Sequence, residues 1–146
     1  MEKRINMPEI EPAAYKALAG LESYLATTSI SKTLKELIKI RASQINGCAF
    51  CINMHTRDAR KLGETEQRIY LLNAWREVNG LYTEEERAVL ALTEEMTLIA
   101  NGGVSEATYQ HVKSFFDDHQ LAQIMMAIIT INGWNRMCVA TLVQPV

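Results

Sequence analysis

Residues 31–63 read SKTLKELIKIRASQINGCAFCINMHTRDARKLG, and this stretch decides the fold. Ser31 is placed to cap a helix that carries Leu34, Leu37, Ile38, Arg41 and Ile45 and runs to about Asn46 and Gly47. Gly47 interrupts it, and a second helix is expected from about Cys48 to Leu62, stopped by Gly63 just past its end. Neither this stretch nor any other shows strict period-two alternation bounded by hairpin turns, so no strand is placed.

The same grammar extends in both directions. Upstream, Tyr15, Leu18, Leu21 and Leu25 form one apolar face of a helix over about Glu11 to Ala26, which ends in the Thr27-Thr28-Ser29 cluster. Downstream, a helix is expected from about Glu66 to Val78, ended by Gly80. Thr83 and Glu86 fit a capping box for a helix through Val89, Leu92, Met96 and Ile99 that stops at Asn101, Gly102 and Gly103. Ser105 caps a short helix holding Tyr109, Val112 and Phe116, and a long apolar helix follows from about Gln120 to Leu142, with a bend expected at Gly133. Only three prolines occur, Pro8, Pro12 and Pro145, all near the ends. The expectation is an all-α fold: a compact multi-helix bundle of six to seven helices, formed by residues 1–146 as one domain. The last helix is apolar around most of its circumference and must be covered on several sides, which favours burial between subunits.

Charge and hydropathy exclude several functional classes. The 15 basic and 17 acidic residues leave a net charge of -2, which gives no electrostatic reason to expect nucleic acid or an anionic membrane as partner. The longest apolar stretch, Leu121 to Ile131, is broken by Gln123 and followed by Asn132 and Gly133, short of a membrane span. Met1 to Ile10 hold Glu2, Lys3, Arg4 and Glu9 without an apolar run of signal-peptide length, so a cytoplasmic location is expected. In that compartment the three cysteines are expected as thiols at rest, and a closely spaced pair reads as redox or metal chemistry.

Cys48 and Cys51 are three apart and His55 follows four later, a spacing that brings two sulfurs within reach of a disulfide and an imidazole about one turn beyond. A thiol attacks as thiolate, and the helix start after Gly47 supplies the unpaired amides that favour negative charge there. Two other readings stay open on the residues alone. Cys48 and Cys51 can be small core hydrophobes, or with His55 they can begin a zinc site, although no second CxxC or HxxxH supplies a fourth ligand and neither metal nor cofactor is expected. His111 and His119 lie in a polar stretch and read as solvated, Cys138 as a core residue of the last helix, and Trp134 and Arg136 as pocket or packing residues.

Glu36, eleven intervening residues, Cys48-x-x-Cys51 and then His55 resemble the active-site signature of the alkylhydroperoxidase D-like (AhpD-like) proteins of the carboxymuconolactone decarboxylase superfamily. The resemblance runs over about Leu34 to Gly63, includes Arg41 and Ala42, and continues in Gly133-Trp134-Asn135-Arg136. It implies that Cys51 is the peroxidatic thiol, that Cys48 resolves its sulfenic acid, and that Glu36 and His55 relay protons through water. It also implies an AhpD-like bundle assembled as a homotrimer or homohexamer, and a dithiol reductant, which in the family can be a lipoylated protein. On one continuous helix Glu36 would lie more than three turns from Cys48, so the relay requires the chain to fold back near Gly47. The family places a histidine between the two cysteines where this sequence has Phe50, so the inner proton donor is missing and Phe50, with Trp134, is expected to wall a substrate pocket. The function implied is a thiol-dependent peroxidase of antioxidant defence acting on organic hydroperoxides or hydrogen peroxide. The alternatives are a redox-sensing binding protein with little turnover, and a lactone decarboxylase-like enzyme on the same fold, against which the paired thiols argue.

Overall fold

Local capping chemistry writes most of the helix boundaries. In the computed structural model, which describes residues 4–146, the side chains of Ser31, Thr65, Thr83, Ser105 and Asp117 each accept from an amide three residues on. The helices are α1 (Met7–Ile10), α2 (Pro12–Ala26), α3 (Lys32–Asn46), α4 (Ala49–Lys61), α5 (Glu66–Tyr70), α6 (Glu84–Thr97), α7 (Glu106–Lys113) and α8 (Asp118–Thr141), with a 3-10 turn at Leu72–Ala74. The fold is all-α, with eight helices among the described residues where six to seven were expected. The short α1, which carries a proline in its first turn, accounts for the excess.

Two apolar clusters share α3. Leu34, Ile38 and Ala42 face the larger one, which contains Leu121, Ile124, Ile128 and Ile131 of α8 with Val89 and Leu92 of α6. Leu37 and Ile40 face the smaller, with Ala59, Ile69, Leu72, Trp75, Tyr82 and Leu90. α3 is therefore buried on two sides, and α4 folds back along it. α8 packs on α2, α3, α4, α6 and α7, so its apolar circumference is covered largely within the chain, with Ile129 and Val139 left exposed.

One helix boundary is corrected. The helix expected over residues 66–78 stops at Tyr70, because Trp75 turns inward to donate its Nε1–H to Glu94 Oε1 at 2.8 Å. The guanidinium of Arg87 on α6 then takes up the carbonyls of Trp75, Arg76 and Val78, which lie outside any helix. α8 is one continuous helix through Gly133. The glycine serves close packing: a Cβ there would stand 3.2 Å from Leu18 Cδ1 of α2. Among the described residues no helix is long and apolar enough to cross a membrane.

Candidate active site

The site is built on the turn between α3 and α4. Gly47 adopts φ +66°, a left-handed conformation that costs glycine little, and the amides of Gly47 and Cys48 close the last turn of α3 by donating to the carbonyls of Gln44 and Ser43. This reversal supplies the fold-back that Glu36 requires. A buried polar network pins it to α8: Asn46 Nδ2 donates to Asn135 Oδ1 at 2.9 Å and to Asn132 Oδ1 at 3.0 Å, and Asn135 Nδ2 donates to Ser43 Oγ at 2.9 Å. Asn132 in turn donates to Thr97 Oγ1 of α6 and accepts from Arg136. The Gly133–Arg136 stretch thus fixes the hairpin and packs α2, and Arg136 serves this network and not the pocket.

Cys48 is the N-cap of α4, its sulfur accepting from the Cys51 amide, and the two cysteines are joined by a disulfide. Both are 1% exposed. Cys51 sits in the first turn, where unpaired amides and the helix dipole favour a thiolate once the bridge is reduced. One turn on, His55 is buried, and its Nδ1–H donates to Glu36 Oε2 at 2.8 Å across the α3–α4 interface. The carboxylate fixes the tautomer and leaves Nε2 as the free nitrogen. Glu36 is not a solvated surface acid: its side chain is 12% exposed and its other oxygen lies 3.9 Å from Lys39 Nζ, which pairs with Glu22 of α2 at 2.9 Å.

These groups open on one cavity of about 560 Å³. Glu22, Glu36, Lys39, His55 and Asp58 form its polar side, and Tyr15, Phe50, Met54, Trp134 and Met137 much of its apolar side, with Cys51 lining it and Cys48 behind. Tyr15 and Trp134 meet edge to face at 5.3 Å. The structure therefore brings together Cys48, Cys51, His55 and Glu36, and sets Phe50 and Trp134 in the cavity wall as the sequence suggested. His111 and His119 are exposed, on α7 and α8, and are not among the residues lining the cavity.

Sequence reasoning missed Glu22, Lys39 and Asp58, and read Cys138 as the core residue it is without its place in the cavity wall. Lys39 had a signal, standing three residues after Glu36 on one helix face, and so did Cys138, one turn after Trp134. Ile5, Asn6, Met7 and Pro8, which also line the cavity, carried none.

A model of the carboxymuconolactone decarboxylase family matches residues 12–95, more than half of the chain. The chain belongs to the carboxymuconolactone decarboxylase family. This family member is 48% identical over 140 residues to the uncharacterized protein YdfG of Bacillus subtilis (strain 168), covering 96% of this chain and 95% of that one. Its fold matches the Agrobacterium tumefaciens protein ATU0492 with a TM-score of 0.95 and 39% identity over 99% of each chain; that protein is of unknown function and provisionally assigned as an antioxidant defence protein, AhpD. The debrominase Bmp8, solved in complex with 2,3,4-tribromopyrrole, is 19% identical with a TM-score of 0.78 over 92% of this chain and 71% of its own, a likeness of fold alone. Within the carboxymuconolactone decarboxylase family the chain is AhpD-like in fold.

Proposed function

We propose that this carboxymuconolactone decarboxylase family member is a dithiol peroxidase of antioxidant defence, a reading carried by the convergence of Cys51 and the Glu36–His55 pair on one cavity. In the reduced protein His55 Nε2 takes the Cys51 proton as the sulfur attacks one peroxide oxygen and the O–O bond breaks. The oxygen attacked stays on sulfur as sulfenic acid, and the departing alkoxide takes a proton through His55, whose charge Glu36 stabilises. The Cys48 sulfur then attacks the sulfenic sulfur, water leaves, and the bridge forms. The net change is hydroperoxide plus two thiols to alcohol, water and disulfide. The apolar wall of Phe50, Met54 and Trp134 favours an organic hydroperoxide over hydrogen peroxide, and the cavity volume suits a small organic molecule.

Turnover needs a dithiol donor. Both sulfurs are buried and Cys51 lines the cavity, so a slender dithiol such as a lipoyl arm fits better than a thiol on a folded surface. The reading takes residues 1–146 as one domain acting in the cytoplasm as a homotrimer or homohexamer, as the family resemblance implies. The test is multiple-turnover reduction of cumene hydroperoxide with dihydrolipoamide as donor. Steady alcohol production supports a peroxidase; a bridge that forms readily without turnover turns the reading to a redox sensor. The aromatic walls Tyr15, Phe50 and Trp134 favour a second reading, reductive debromination of a small aromatic by the same dithiol, which bromide release from tribromopyrrole would reveal.

A further inference from the structure

We infer that reduction of the Cys48–Cys51 bridge opens a three-sulfur site for a trivalent thiophilic metalloid of the arsenous acid class, with Cys138 as the third ligand. The Sγ atoms of Cys48, Cys51 and Cys138 lie within 4.8 Å of one another, and all three residues are buried in the apolar cluster around α8. The first two come from the start of α4 and the third from near the end of α8, so the convergence is made by the fold. Sulfurs bound at about 2.3 Å to a common centre stand about 3.5 to 4 Å apart, so small side-chain rotations complete the site once the bridge opens.

Donor type and charge select the ligand. Glu36, His55 and Asp58 form a separate group, which leaves the triad with sulfur donors alone, a set that favours thiophilic centres. In an apolar core a net charge is costly. Zinc on three thiolates carries a negative charge and still lacks a fourth ligand, and monovalent copper carries more. A trivalent centre on three thiolates is neutral and needs no further donor.

Cys51 and Cys138 both line the cavity of about 560 Å³, which gives small, uncharged arsenous acid a way in. Binding breaks three As–O bonds and forms three As–S bonds, and each thiol proton leaves with a hydroxyl as water. Neither arsenic nor sulfur changes oxidation state. The site exists only after a dithiol or phosphine has reduced the bridge, and it does not depend on peroxide turnover.

The test is titration of the full chain with arsenite, after reduction by a phosphine that is then removed. One arsenite per chain, loss of all three thiols to a thiol reagent, and three sulfurs around arsenic by X-ray absorption support the site. Cys138→Ser is then expected to weaken binding roughly tenfold or more and to leave two sulfurs on arsenic. The sulfur count on the unsubstituted protein decides the matter even if that variant fails to fold. Loss of only Cys48 and Cys51, equal binding by the oxidised protein, displacement of arsenite by equimolar zinc, or no binding at all would overturn the inference.

Discussion

Glu36→Gln isolates the charge of the carboxylate that holds His55. Glutamine keeps the size of the side chain and an acceptor for the Nδ1–H now bonded at 2.8 Å, but not the negative charge. A hydrogen bond to a charged group in a site this closed contributes about 1.5–3 kcal/mol. If that increment is realised as the imidazole gains a proton in the transition state, its loss slows the chemical step by about 10- to 150-fold. Lys39 retains Glu22 at 2.9 Å, so the substitution leaves no lysine stranded at the cavity wall. The assay is single-turnover oxidation of the reduced protein by cumene hydroperoxide in stopped flow, with peroxide varied to separate the limiting rate from the half-saturating concentration, the single-turnover counterparts of kcat and KM. A fall in kcat with KM held within about twofold is expected. A rate within about twofold of the parent, or an effect confined to KM, would refute the role given to Glu36.

Cys51→Ser is expected to abolish peroxide reduction, while the Cys48→Ser/Cys138→Ser double variant, stripped of every neighbouring thiol, holds Cys51 as a sulfenic acid that dimedone traps once per chain. Asn135→Ala removes the partner of both Asn46 and Ser43 at a fully buried position and should cost about 2–3 kcal/mol, read as a Tm lower by about 4–12 °C. Burial works against ionisation of Glu94, yet hydrogen bonds from Arg76, Trp75 and Arg41 hold its carboxyl below the usual range. Its contribution to stability is therefore full above the ordinary carboxylate pKa and is lost as pH falls through the lower folded value; Glu94→Gln should flatten that acid limb in a series of chemical denaturation curves.

What the sequence revealed was mostly local. Ser31, Gly47 and the Thr83–Glu86 box are decided within a few residues, and the structure uses each as a cap or turn in the expected place. The break after Tyr70 was not legible, because the group that makes it possible, Arg87, lies on another helix and satisfies the carbonyls of Trp75 and Val78 from outside the segment. The same division runs through the site. Spacing alone placed Cys48, Cys51 and His55 together, whereas the meeting of Glu36 with His55 depends on the reversal at Gly47 and on Asn135 holding it. Cys138 looked like any apolar-helix cysteine until the packing of α8 on the start of α4 set its sulfur beside the pair. The N-terminal cavity wall, from Ile5 to Pro8, has no periodic pattern that ties it to the site.

The most direct test of the central reading is a titration of free thiols in the reduced protein before and after one equivalent of cumene hydroperoxide, with any bridge located by peptide mass spectrometry. The expected result is rapid loss of two thiols per chain, one alcohol released per bridge, the bridge between Cys48 and Cys51, and Cys138 left free. If Cys48 and Cys51 stay reduced while the hydroperoxide is unchanged, the pair is structural and the dithiol chemistry proposed for this cavity is wrong.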